Sequence, residues 1–139
     1  EEEDERQNIR KKVDADPLYH AAKNYARKTH GFLRDTLYKN KNADPGLAYD
    51  FQTVAWYHTM LQVKLHRALN GYYEPADEDD LGMHDAVAQL QVCKKAITQS
   101  AEALRTIKPA YPAHTSILTE LLARLGNIES RILAMEESI

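Results

Sequence analysis

The strongest pattern in the chain runs from Asp44 to Gly71, where apolar residues return on two faces of one helix. Leu47, Phe51, Val54, His58, Leu61, Leu65 and Ala68 step by four and three, the spacing that keeps side chains on one side of a helix. Tyr49, Thr53, Trp56, Met60, Val63 and Arg67 follow the same steps. An offset of two residues turns a helix by about 200°, so this second stripe lies nearly opposite the first. One stripe serves a core, and the other requires a further cover, either a second copy of the chain or Ile9 and Val13, or Tyr72 and Tyr73, folded back over it. Asp44 followed by Pro45 predicts the cap and first turn, and Asn70-Gly71 predicts the stop.

The flanking segments repeat the helical period. Asp16-Pro17 reads as a cap and first helical residue, and Leu18, Ala22, Tyr25, Thr29, Phe32 and Thr36 carry the period to about residue 40. The segment GYYEPADEDDLG after the central helix is turn-rich and acidic, with Glu78, Asp79 and Asp80 placed where negative charge favours a helix start. Ala86, Leu90, Cys93, Ile97, Ser100, Leu104 and Ile107 form an unbroken series up to Lys108-Pro109. Leu118, Leu121, Leu125, Ile128, Ile132, Met135 and Ile139 give the cleanest heptad in the chain. The predicted fold is all-α: an antiparallel up-down-up-down four-helix bundle over residues 16–139, with helices at about 17–40, 45–70, 78–108 and 112–138. Residues 1–15 form a charged extension, helical or disordered, in which Ile9 and Val13 stand one helical turn apart.

Composition narrows the functional classes. A chain of 139 residues fits one domain, and 43% apolar residues with five glycines and five prolines exclude a disordered or fibrous protein. No run reaches the roughly 18 uncharged apolar residues of a membrane span, and the start EEEDER is unlike the basic start of a signal peptide. The expected location is cytoplasmic, with no membrane partner. The single Cys93 excludes an intramolecular disulfide, and a net charge of −3 argues against wholesale nucleic-acid binding.

Six histidines invite a metal reading. The chain, however, has neither Glu-x-x-His nor His-x-x-x-His, the spacings that aim two ligands from one helical face. No metal or other cofactor is predicted. Alignment of the helices at their centres brings Thr29, His58 and Cys93 to one height, a buried polar layer in which the imidazole finds a hydroxyl or carbonyl partner. A nucleophilic Cys93 with His58 as its base is the sharper alternative, and it demands an accessible, electropositive thiol. His20-Ala-Ala-Lys23 resembles the His-x-x-Lys part of the stretch found in histidine phosphotransfer domains, but Asn24 stands where that family has glycine. His20 also lies near a helix end, so it is read as a solvated histidine.

Lys23, Arg27, Arg34 and Lys41 recur on one side of the first long helix, a candidate anion-binding row that can track phosphates or meet the acidic 74–80 segment. Bundle-forming residues are abundant while a catalytic constellation is absent. The leading expectation is therefore a non-enzymatic interaction or assembly protein. It self-associates as a homodimer through Tyr49, Trp56, Met60 and Val63, and a different protein partner at this face is the variant of the same reading. One alternative is a nucleic-acid or polyanion binder through the basic row. The other is a small-molecule enzyme or sensor with a pocket around His58, near Tyr25, Tyr57 and Cys93.

Overall fold

A computed structural model describes residues 1–38, 44–75 and 80–139. Among these the protein is all-helical, with five α-helices and no strand: α1 (Glu2–Ala15), α2 (Pro17–Leu33), α3 (Ala48–Tyr73), α4 (Leu81–Ile107) and α5 (Thr115–Ser138). Asp16 separates α1 from α2. Its backbone is extended, which proline at the next position favours, and its carboxylate accepts a hydrogen bond from the Leu18 amide at 2.8 Å. The N-terminal extension is thus an ordered helix, and it covers part of the core by burying Val13 and packing against α3 and α2.

The core takes side chains from all five helices. On α3 the first stripe faces inward: Phe51, Val54, Leu61 and Leu65 are sealed from solvent. Burial of side chains of this size contributes about 1.5–3 kcal/mol each. The α3–α4 contact is the largest in the molecule; α2 packs on α3 and α5, and α4 also packs on α5.

Several boundaries differ from the sequence reading, beginning with α3, which opens as a 3₁₀ turn, Pro45–Leu47, before the α-helix starts at Ala48. Regular α2 ends at Leu33 and passes into a π-helical turn, Arg34–Tyr38. Within that wider turn Thr36 stays buried, with its hydroxyl donating to the Phe32 carbonyl at 2.7 Å. Asn70-Gly71 does not stop α3, which continues to Tyr73 because Gly71 serves interhelical packing instead. A Cβ at Gly71 would lie 2.4 Å from the Gly82 carbonyl oxygen, so the two backbones touch where α3 meets α4. The last helix opens as a short 3₁₀ turn, Pro112–His114, before α5. Of the acidic residues expected at the start of α4, Glu78 and Asp79 lie outside the described residues. Asp80, with φ 53°, immediately precedes the helix but places no side-chain oxygen on its amides.

Candidate interaction surface and polar groove

The outer face of α3 remains open in the single chain. Tyr49 is 78% exposed, Trp56 70% and Val63 59%, while Met60 is half-buried. Neither segment that could have folded over this stripe does so. Ile9 of α1 lines a recess with Arg6, Arg10, His66, Asn70 and Glu74, toward the other end of α3. Tyr73 donates to Asp16 at 2.5 Å, and Tyr72 reaches Ser138. Trp56 and Tyr49 instead border a groove of about 840 Å³ between α3 and α4. Small residues, Ala55 and Ala103, contribute to its lining, and Asp50 and Glu102 add acidic groups. Met60 and Val63 continue the stripe beyond it. At the far end of that face Arg67 makes a two-pronged ion pair with Asp85 of α4 at 3.1 and 3.2 Å, which holds the Asp85 carboxyl below its ordinary range.

Thr29, His58 and Cys93 are each buried. His58 Nδ1 donates to the Ala55 carbonyl at 2.6 Å, which fixes the Nδ1–H tautomer because a carbonyl only accepts. Its ring stacks on His30 of α2, with centroids 6.2 Å apart. Burial pulls the His58 pKa below its ordinary value, with the His30 charge acting in the same direction. Thr29 neighbours Tyr25, whose hydroxyl burial pushes up to about 12 while the Thr29 and Ser100 hydroxyls draw it back. Among the described residues neither Tyr25 Oη nor Thr29 Oγ1 has a well-formed hydrogen-bond partner. Cys93 responds to Lys64, and burial raises its thiol to about 12. A sealed, protonated thiol does not have the chemistry of a nucleophilic cysteine.

Because His58 bonds to a carbonyl of its own helix, its replacement leaves no buried group from another element unpaired. His58→Leu is expected to be neutral within about 1 kcal/mol, or stabilising, in denaturant unfolding. The sign with pH follows from the lowered pKa. The neutral ring contributes stability that is present above the unfolded value of 6.5 and is lost as pH falls through the folded value. His58→Leu should remove that part of the acid sensitivity.

The basic row divides. Arg34 pairs with Asp35 at 3.4 Å, and Lys41 lies outside the described residues. Lys23 and Arg27 instead line a groove of about 390 Å³ between α2 and α3, together with Asn24, Ala26, His30, His58, Thr59 and Gln62. Tyr25, Tyr57 and Cys93, the other groups expected around His58, do not line it. The sequence reading missed His30, which stands seven residues after Lys23 and three after Arg27, on the same helical face. Among the described residues no three His, Cys, Asp or Glu side chains assemble as a metal-binding cluster, and no helix is long and apolar enough to cross a membrane.

Fold and surface together define an all-helical protein with an open aromatic face and a separate cationic groove. Compared with protein-family models, with curated proteins and with solved structures, the chain matches none.

Proposed function

We propose that this is a non-enzymatic assembly protein in which α2 to α5 form an antiparallel up-down-up-down bundle, α1 braces one side, and two copies associate through the outer face of α3. Pairing of opposite helix ends supports the topology. Asp16 at the start of α2 accepts from Tyr73 at the end of α3, and Arg67 late in α3 meets Asp85 early in α4. Gln91 and Lys94 in the first half of α4 both reach Glu136 near the end of α5. Lys28, late in α2, meets Glu120 in the early part of α5.

The observation that carries the function is Trp56, 70% exposed on a stripe shared with Tyr49 and Val63. An exposed tryptophan among other large apolar groups marks an interaction surface, and tryptophan and tyrosine are the residues that dominate interface energetics. A straight helix with an apolar outer stripe is self-complementary about a twofold axis, the commonest symmetry of soluble assemblies. Each copy then covers Tyr49, Trp56, Met60 and Val63 of the other.

Light scattering on the size-fractionated protein should give twice the chain mass at high micromolar concentration. Trp56→Glu with Met60→Glu should give a folded monomer with unchanged helicity. A wild-type chain that is monomeric under those conditions overturns the reading. A double variant that loses helicity without any change in the mass of the parent would mean that the stripe supports the chain's own fold.

A further inference from the structure

The α2–α3 groove brings two cations together. Among the described residues neither Lys23 nor Arg27 reaches a carboxylate within 4 Å, as is true of most cations of the chain, and what sets this pair apart is that both line one groove. Lys23 lies over the Tyr19 ring at 5.5 Å from its centroid, and Arg27 donates to the Asn24 side-chain oxygen at 3.1 Å. Among the described residues no acidic side chain lines the groove that both border. Two cations one helical turn apart, with His30 a further turn along, converge on the polar side chains of Thr59 and Gln62.

The tautomer of His58 adds a directional element. Its Nδ1 proton is committed to Ala55, so Nε2 carries a lone pair. The Thr59 hydroxyl donates weakly to that nitrogen at 3.4 Å, and it turns toward a bound anion to free Nε2 as an acceptor.

We propose that this groove binds a small protonated oxyanion, hydrogen phosphate or the monoanion of a phosphate monoester, which keeps one proton below its second pKa of about 6. Lys23 and Arg27 supply the charge, Thr59 and Gln62 supply neutral donors, and His58 Nε2 accepts from the anion's own O–H. Guanidinium and ammonium groups match phosphate oxygens as charge-assisted donors. The acceptor provides discrimination. Sulfate has the same shape and a similar charge but no proton at neutral pH, so it would set an oxygen against the His58 lone pair and leave that buried acceptor unpaired.

The test is titration of inorganic phosphate and, separately, sulfate into the 139-residue chain at neutral pH and fixed ionic strength, with the His30 and His58 ring resonances followed by NMR. Saturable shifts at both histidines are expected, with phosphate favoured over sulfate by about tenfold, the factor that one unpaired polar group is worth. Lys23→Gln and Arg27→Gln, singly and together, should weaken phosphate by about tenfold per cation, whereas Arg131→Gln, elsewhere on the surface, should leave it unchanged. His58→Leu should erase the preference for phosphate and retain part of the affinity.

Phosphate esters and vesicles containing phosphatidic acid separate the two sources of such a group. Binding of phenyl phosphate at about pH 5.5, where most of it keeps one proton, without vesicle co-sedimentation identifies a free ester. Co-sedimentation that Lys23→Gln with Arg27→Gln abolishes identifies a lipid headgroup in the same groove. Linear, non-saturating shifts overturn the proposal. So does equal binding of sulfate and phosphate, or loss of affinity that is the same for Arg131→Gln as for Lys23→Gln. Circular dichroism of each variant keeps a folding defect from being read as lost binding.

Discussion

Gly71→Ala is expected to destabilise the protein by about 2–3 kcal/mol, the upper part of the range for overpacking a close contact. The added carbon would stand 2.4 Å from the Gly82 carbonyl oxygen and 3.4 Å from the Ala86 amide nitrogen. Both are backbone atoms inside a helix, so no rotamer change relieves the clash, and α3 and α4 must separate across their largest interface. The intrinsic helix preference of alanine over glycine, worth about 1 kcal/mol, acts in the opposite direction and is outweighed. Gly126 in α5 provides the internal control, since a Cβ there meets nothing within 4 Å. Gly126→Ala should stabilise by about 0.5–1 kcal/mol. Urea unfolding of the two variants therefore gives opposite signs. The same sign for both would mean that Gly71 is not a packing residue.

Asp16→Ala should destabilise by about 2–4 kcal/mol, because one carboxylate performs two tasks. Its Oδ1 caps α2 through the Leu18 amide, a role worth about 1 kcal/mol. Its Oδ2 accepts from the Tyr73 hydroxyl, a charge-assisted bond worth about 1.5–3 kcal/mol. Asp16→Asn should retain the cap and lose mainly the charge, and so fall between wild type and Asp16→Ala. The bond to Asp16 is also the main reason that the Tyr73 hydroxyl titrates at about 12, since a phenolate there would face a carboxylate. A phenol whose folded pKa exceeds its unfolded value of 10.0 contributes stability that is complete below pH 10 and is lost as pH rises toward 12. Tyr25, raised by burial to about 12, adds to the same alkaline window. Tyr73→Phe and Asp16→Ala should each reduce the alkaline loss, and phenolate absorbance follows it directly. A double-mutant cycle with no coupling between the two would remove Asp16–Tyr73 as a stabilising pair.

Periodicity was legible wherever one helical face meets a continuous core. The series from Ala86 to Ile107 and from Leu118 to Ile132 is buried almost without exception, and on α3 the two stripes separate into Phe51, Val54, Leu61 and Leu65 inside and Trp56 and Val63 outside. Pairings between helices were not legible, because they depend on stagger rather than on period. Gly71 carries the same local signal whether it ends a helix or admits a neighbour, and the residue that decides between them, Gly82, lies on another helix. His30 gave no signal on its own; only its ring contact with His58 makes it part of the α2–α3 groove. Nor does the period name the side chains that face Thr29 and Cys93, Tyr25 and Lys64 respectively. Dual use of one side chain is equally invisible. The cap at Asp16 follows from the dipeptide Asp16-Pro17, but its bond to Tyr73, 57 positions away, does not.

The glycine contact between α3 and α4 also bears on how the chain finds its structure. Residues 74–80 alone separate the two helices, so the largest interface in the protein is assembled from neighbouring segments at little loop-closure entropy. Folds built from such local pairings have low contact order and reach the native state in microseconds to milliseconds. The α3–α4 hairpin is expected to form first, with α5, α2 and finally α1 docking on it, so that Gly71→Ala should slow folding in stopped-flow measurements rather than mainly speed unfolding. In kinetic terms, the two glycines would then occupy the point from which the rest of the molecule assembles.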